Sequence, residues 1–111
     1  MGTFAIGQVV LVHFPFSDLT ASKLRPAVVL TEAGRGDWIL CQITSKSYGD
    51  ARAVPVDNGD FARGSLRVAS FARPGKLFTA HTSLVAGNVG ELHAGKFTAV
   101  RDAVVRMIQN V

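Results

Sequence analysis

Short apolar runs separated by polar turns occupy most of the chain, and this pattern predicts β-strands. The Val-rich run QVVLVHF follows Gly7 and predicts a first strand, which Pro15 ends. The runs AVVLT at 27–31 and WILCQIT at 38–44 predict the next two strands, joined by the turn EAGRGD. A weaker strand is expected within ARAVPV at 51–56, where Pro55 favours a sheet edge, and DNGD after it predicts a turn. The segments SLRVASFA at 65–72 and GKLFTA at 75–80 predict two further strands, separated by Arg73-Pro74-Gly75.

The period changes near the C-terminus, where apolar residues recur at intervals of three and four. This spacing predicts an amphipathic helix over about 96–109, with its apolar stripe packed on the sheet: Phe97, Val100, Val104, Met107 and Ile108. The preceding stretch, 81–92, predicts a short helical turn and one more short strand. Many short strands followed by one helix favour a mainly β fold, either a small antiparallel β-barrel or a strongly bent sheet.

Length and composition are typical of one compact domain. The chain has 111 residues, 48% of them apolar, and a mean hydropathy of +0.26, which predicts a single domain over 1–111 with one core. One cysteine excludes an intramolecular disulfide, and three histidines at unrelated spacings give no zinc motif, so we expect no metal and no cofactor. No signal peptide and no membrane span are predicted, so we expect a cytoplasmic protein.

The charge balance permits nucleic acid as a partner. The formal net charge is +4 with 18% charged residues, and the isoelectric point is about 9.8. A modest basic excess of this kind is compatible with binding an anionic polymer but does not require it.

The segment HFPFSDLTASKLRPAVVL holds more polar groups than a simple connector needs. Its loop carries Ser17, Asp18 and Lys23, and Arg25 stands directly before Pro26. Proline biases the preceding residue toward extended backbone, and the guanidinium fork of arginine suits bidentate contact with phosphate. The alternative is an ordinary surface arginine at a strand end.

Two other segments carry groups that suit RNA. Thr44, Ser45 and Lys46 close the third predicted strand, where a rigid scaffold can present hydroxyls and a cation to a ligand. Arg73 and Lys76 lie in a basic segment that also contains the aromatic Phe71, a combination compatible with single-stranded nucleic acid. The alternatives are an ordinary polar strand end, and a core aromatic beside solvated cations.

Groups able to transfer a proton near neutral pH are few. His13 ends the first predicted strand beside the polar loop, and Asp18 lies within that loop. A structural histidine and an aspartate that accepts from loop amides are the alternatives.

The segments GQVVLVHFPFSDLTASKLRPAVVL, WILCQITS and RPGKLFT, in this order, resemble the MazF/PemK-like toxins of bacterial toxin–antitoxin systems. The resemblance spans about residues 7–80, and the basic C-terminal helix fits it. It implies a small SH3-like or CcdB-type antiparallel barrel that forms a homodimer. It also implies a sequence-specific endoribonuclease that cuts single-stranded RNA without a metal ion and is inhibited by a cognate antitoxin protein. The loop from Ser17 to Lys23 would then be a flap beside an anionic groove.

The resemblance also assigns roles to residues. The arginine of the R-P motif and the threonine of the I-T-S motif, here Arg25 and Thr44, are expected to be catalytic. The 2′-hydroxyl of the RNA would attack the adjacent phosphorus, leaving a 2′,3′-cyclic phosphate and a 5′-hydroxyl. Residues expected to bind the RNA are Ser45, Lys46, Arg73, Lys76, Phe16, Ser17, Asp18 and His13.

One position departs from the pattern of some relatives. They place an acidic or amide residue shortly before the basic position of the FARPGKLFT segment, where this chain has Arg73 and Pro74. A carboxylate base is therefore absent there, and His13 or Asp18 are the candidates to replace it.

Two other functions stay open: a barrel that binds RNA or protein without cleavage, and a toxin directed at DNA gyrase. The ending RMIQNV, with no terminal aromatic, argues against the gyrase function.

Overall fold

The computed structural model describes residues 4–15 and 22–110. Within these ranges the chain forms seven strands, two short 3₁₀ turns and one helix. The strands are β1 (Gln8–Pro15), β2 (Ser22–Gly34), β3 (Asp37–Thr44), β4 (Val54–Val56), β5 (Phe61–Gly64), β6 (Ser70–His81) and β7 (Val85–Leu92). The 3₁₀ turns are Asn58–Asp60 and Thr82–Leu84, and the helix α1 spans Ala94–Gln109.

All seven strands belong to one antiparallel sheet, in the order β4-β6-β3-β2-β1-β7-β5. Shifts of register interrupt four of the strand pairs, and such irregularities increase local twist and bend. The result is a curled sheet, a half-barrel, with one C-terminal helix. The expected fold class, mainly β with a C-terminal amphipathic helix, is confirmed.

The curled sheet has a buried core on each face, because successive side chains of a strand point to opposite sides. We call the first the helix core, since α1 packs against it: Val9, Val28, Cys41, Ile43, Val56, Phe61, Ala72, Leu92 and Val100. We call the second the inner core, and the interleaved positions of the same strands form it: Val10, Val12, Ala27, Val29, Trp38, Leu40 and Ala80. The continuous apolar runs of β1 to β3 follow from burial on both faces.

Several predicted strand bounds need correction. The second strand is much longer than 27–31, because it pairs with β1 from Ser22 onward. Lys23 and Arg25 therefore lie within β2, whereas residues 17–21 of the predicted flap lie outside the described residues. The fourth strand is shorter than 51–56, and its three residues lie at the sheet edge, as Pro55 indicated.

The two strands predicted at 65–72 and 75–80 are one strand, β6. Residues 65–69 lie outside it, and β5, which precedes them, was not predicted. The Arg73-Pro74-Gly75 segment nevertheless interrupts pairing: two steps along β3, from Cys41 to Ile43, correspond to five along β6, from Leu77 to Ala72. Proline lacks the N–H that a regular ladder needs, so the strand passes through this segment as a bulge.

The C-terminal predictions agree with the structure, except that Ile108 of the predicted apolar stripe is 70% exposed rather than packed on the sheet. The segment 81–92 forms a 3₁₀ turn and then β7, and α1 begins two residues before the predicted start. The helix ends at Asn110, which adopts the left-handed conformation with φ 62° and donates its N–H to the carbonyls of Arg106 and Met107. No helix in the described ranges combines the length and apolar character that a bilayer span requires.

Candidate active site

Arg25 and Thr44 lie on neighbouring strands, near one end of the sheet. Ala27 of β2 pairs with Gln42 of β3. This is the last pair between the two strands; Arg25 and Thr44 each lie two residues beyond it, on the face of Ala27 and the inner core. On the sides that face away from each other, Arg25 of β2 pairs with Val12 of β1, and Thr44 of β3 pairs with Phe71 of β6. The structure thus places the two predicted catalytic residues on one face of neighbouring strands, near the same end of the sheet.

Thr44 is buried, and its hydroxyl already has one defined partner. The backbone N–H of Lys46 donates to Thr44 Oγ1 at 3.3 Å, which folds the chain back as it leaves β3. A hydroxyl holds one proton and two lone pairs, so accepting this bond leaves the proton of Thr44 available to donate. Ser45 and the Lys46 side chain are exposed beside it. A buried, oriented hydroxyl next to an exposed hydroxyl and an ammonium suits contact with a phosphodiester.

The segment 45–53, which we call the β3–β4 loop, turns sharply at Tyr48-Gly49. The N–H of Asp50 donates to the carbonyl of Ser47 at 3.0 Å, and both central residues have positive φ, 56° for Tyr48 and 68° for Gly49. Positive φ at both central positions is the signature of a type I′ turn. The turn presents the Tyr48 side chain to solvent with 64% of its surface exposed.

Arg73 joins this loop to β6. Its Nε donates to Asp50 Oδ2 at 3.1 Å, in an ion pair whose side chains are only 20% and 17% exposed. Its Cζ lies 5.2 Å from the centroid of the Tyr48 ring, within the range of a cation–π contact. The Cys41 thiol donates to the Arg73 carbonyl at 3.2 Å, which fixes the backbone of the bulge. Arg73 is thus held between a carboxylate and an aromatic face, whereas Lys76, further along β6, is exposed.

Two groups near Arg73 have shifted pKa values. Hydrogen bonds from the Arg52 backbone and the Arg73 side chain, with the charge of Arg73, hold the pKa of Asp50 below its usual value. Burial raises the pKa of the Cys41 thiol to about 12. Asp50 is therefore a weak proton acceptor, and Cys41 is a protonated structural residue rather than a nucleophile.

The proposed substitutes for the missing carboxylate base do not join this site in the described residues. His13 is exposed and pairs with Leu24 on β2. Because neighbouring residues of a strand alternate faces, His13 points to the opposite face from Val12 and Arg25. Asp18 lies outside the described residues, as do Phe16 and Ser17, which were predicted to bind RNA.

Sequence reasoning missed Tyr48 and Asp50. Within their segment, SKSYGD, only Ser45 and Lys46 were selected as candidates, although Tyr-Gly followed by Asp is a turn signal. The pairing of Asp50 with Arg73 joins residues 23 positions apart, and no local sequence pattern predicts such a contact.

Solved structures similar to this one come from bacterial toxins. An endoribonuclease from a mycobacterial species, in complex with its cognate antitoxin, matches with a TM-score of 0.76 at 12% identity, covering 96% of each chain. A MazE–MazF structure from Deinococcus radiodurans matches with a TM-score of 0.73 at 20% identity, covering 94% of each chain. Mycobacterium tuberculosis toxin MazF-mt6 matches with a TM-score of 0.67 at 21% identity, covering 90% of this chain and 96% of the toxin. At these identities the likeness establishes the fold.

Sequence comparison supplies the family. Among curated proteins, none matches the chain significantly. The family model of the PemK-like, MazF-like toxins of type II toxin–antitoxin systems matches residues 5–108, nearly the whole chain. The resemblance noted in the strand and loop motifs is therefore confirmed, and the chain belongs to the PemK-like, MazF-like toxin family of type II toxin–antitoxin systems.

Proposed function

We propose that this toxin is a sequence-specific, metal-independent endoribonuclease that cleaves single-stranded RNA by transesterification. The observation that supports the proposal is the placement of Arg25 and Thr44 on one face of neighbouring strands, each two residues beyond the pair of Ala27 with Gln42. Family membership makes ribonuclease chemistry the first expectation for such a pair. The overall fold would not be enough by itself, because one fold can host unrelated activities.

The reaction needs positive charge at the phosphoryl oxygens and correct placement of the 2′-hydroxyl. In the proposed mechanism the Arg25 guanidinium binds the scissile phosphate and stabilises the charge that develops in the transition state. The Thr44 hydroxyl, oriented by the N–H of Lys46, donates to a phosphoryl oxygen. The 2′-hydroxyl gives its proton to water and its oxygen bonds to phosphorus as the bond to the 5′-oxygen breaks; the 5′-oxygen takes up a proton from water, leaving a 2′,3′-cyclic phosphate and a 5′-hydroxyl. The role proposed for Arg25 is electrostatic rather than that of a general acid.

Exposed groups around the pair would bind the flanking RNA. Ser45 and Lys46 follow Thr44 directly, and Lys76 is exposed on β6 beyond the bulge. The ammonium groups of Lys46 and Lys76 suit the phosphates on either side of the cleaved bond. The charge of Arg73 is partly balanced by Asp50, so we assign it a lesser share of phosphate binding than its position in the sequence indicated.

Protein partners are part of the proposal: a second copy of the chain and a cognate antitoxin. The similar mycobacterial endoribonuclease was solved with its antitoxin, and the Deinococcus radiodurans structure is of MazE with MazF. In this chain an apolar groove of about 470 Å³ lies between α1 and the sheet. Its rim includes Ile6 and Ile108, which are 52% and 70% exposed. Exposed apolar surface of this kind is typical of protein interfaces.

The test is incubation of the purified protein with a long single-stranded RNA in EDTA, with Arg25→Ala and Arg101→Ala for comparison. Arg101 is an exposed arginine of α1, and α1 packs on the opposite face of the sheet. The Arg101→Ala substitution therefore removes the same charge as Arg25→Ala, but away from the site. Wild type and Arg101→Ala should give discrete fragments with 5′-hydroxyl ends, and Arg25→Ala should lose about 100-fold or more in rate, the scale of a lost transition-state contact. Intact RNA with folded wild type, or equal cleavage by Arg25→Ala, would refute the proposal.

A further inference from the structure

Tyr48 occupies a position that the fold alone does not explain. Tyrosine is an uncommon residue at positive φ, where Asn and Gly are preferred, because its side chain crowds the backbone. The residue is 64% exposed, so burial of its side chain in a core does not compensate for this conformation. A large aromatic held in solvent by a tight turn suggests a ligand-binding role.

The ring is supported from one side only. The Arg73 guanidinium lies 5.2 Å from its centroid, and Asp50 holds that guanidinium through its Nε at 3.1 Å. The Asp50 carboxylate is itself fixed by the backbone N–H of Arg52 at 2.9 Å. With one face covered by Arg73 and most of the ring exposed, the opposite face is open to solvent. The arrangement is a flat aromatic platform on a rigid base.

The charge and position of this platform favour a nucleobase over a phosphate. Asp50 balances the charge of Arg73, so the ring lies over a nearly neutral pair. The platform belongs to the loop that starts directly after Thr44, and Arg73 belongs to the strand paired with β3 beside it. Single-stranded RNA is commonly bound by stacking its unpaired bases on aromatic side chains next to basic groups.

We infer that Tyr48 is a substrate-binding residue that stacks on one base of the RNA beside the cleaved phosphate, with Arg73 and Asp50 as positioning residues. This inference rests on the proposed endoribonuclease function and adds a specificity-determining subsite to it. The stacked base lies between the open face of the ring and solvent or a neighbouring base. The Arg73 guanidinium on the other face strengthens the stack by polarising the ring.

Two substitutions at one position separate stacking from other roles. Tyr48→Asn removes the ring but keeps a residue that favours the type I′ turn, so the loop should keep its shape. Tyr48→Phe keeps the ring and removes the hydroxyl. The cleavage site is first mapped with the wild type on a long RNA. An oligonucleotide containing that site, with 2′-deoxyribose at the cleaved nucleotide, then measures binding without cleavage.

We expect Tyr48→Phe to bind this oligonucleotide within about twofold of wild type, and Tyr48→Asn to bind about 5- to 150-fold more weakly, the range found when a stacked base loses its aromatic partner. A scan of single abasic nucleotides should find one position where the lesion weakens wild type but leaves Tyr48→Asn unchanged. An unchanged Kd for Tyr48→Asn would overturn the inference while cleavage by wild type preserved the proposed function. Equal losses in both variants would also overturn it, since they would assign the hydroxyl rather than the ring. A wild type that cleaves no RNA would refute both.

Discussion

The ion pair between Asp50 and Arg73 offers the most direct test of how the β3–β4 loop is held in place. In the Asp50→Asn variant the amide oxygen can still accept from the backbone N–H of Arg52, which lies 2.9 Å from Asp50 Oδ1 in the wild type. The other end of the side chain loses its charge and presents an NH₂ group to the Nε–H of Arg73, so two donors meet where a charged pair stood at 3.1 Å.

The expected loss of stability follows from the burial of the pair. Hydrogen bonds to charged groups contribute about 1.5–3 kcal/mol, whereas exposed ion pairs contribute about 0–1 kcal/mol. Side-chain exposures of 20% for Arg73 and 17% for Asp50 lie between these cases, nearer the buried one. Water still reaches both groups, and the Tyr48 ring still covers Arg73. We therefore expect Asp50→Asn to lower the free energy of unfolding by about 1–2 kcal/mol.

Urea denaturation of a double-mutant cycle measures this energy. The cycle compares wild type, Asp50→Asn, Arg73→Gln and the double variant, and its coupling energy should be about 1–2 kcal/mol. Asp102→Asn is the matched control, because its ion pair with Arg101 is 45% and 55% exposed, and the substitution should cost less than about 0.5 kcal/mol. A coupling energy no larger than the stability cost of the control substitution would refute the view that Asp50 and Arg73 fix the loop.

The pH dependence gives an independent check, and its sign follows from the lowered pKa of Asp50. The unfolded chain binds a proton at Asp50 with a pKa of about 3.9, above that of the folded state, so the stabilisation is complete above about pH 5. It is lost as the pH falls through the folded-state pKa. The stability difference between wild type and Asp50→Asn should therefore be full near neutral pH and shrink in acid. A difference independent of pH would contradict the assignment.

The remaining predictions concern the core and a close backbone contact. Native Cys41, fully buried with its pKa raised to about 12, should resist alkylation at about pH 8 and react promptly only after unfolding in urea; rapid labelling of the native protein would contradict its burial. Gly90→Ala would place a Cβ 2.4 Å from the Arg63 carbonyl oxygen, whereas Gly87→Ala, also on β7, meets nothing within 4 Å. We expect a loss of about 1–3 kcal/mol or more in unfolding free energy for the first and little change for the second, and equal stabilities would refute this geometry.

Strands and helix were predicted best where burial leaves a continuous pattern of apolar residues in the sequence. The runs 38–44 and 96–109 agree with β3 and α1 within two residues, because apolar periodicity records which faces are buried. The start of β2 was missed, since the residues before Pro26 are polar and their pairing with β1 follows from the register of a distant strand. The division of β6 was wrong for a similar reason: proline and glycine do interrupt pairing there, but neighbouring strands on both sides keep the chain extended.

The candidate site divides in the same way. Arg25 and Thr44 were selected from motifs, and the fold then placed them on one face of neighbouring strands, two residues beyond the last pair between those strands. Arg73 was selected as a cation for RNA, yet its charge meets Asp50 and its guanidinium supports Tyr48. Such contacts depend on how a loop folds back over a strand, which local composition does not encode.

The sequence by itself determined the family, the mainly β character and the C-terminal helix, because motifs, β-branched runs and apolar periodicity are local properties of the chain. It also determined which residue types were available for phosphate chemistry. Only the tertiary structure decided which of them share a face, since strand register and pleat direction depend on pairing between distant segments. Packing likewise decided that Arg73 is an anchor for the β3–β4 loop and that His13 faces away from Arg25.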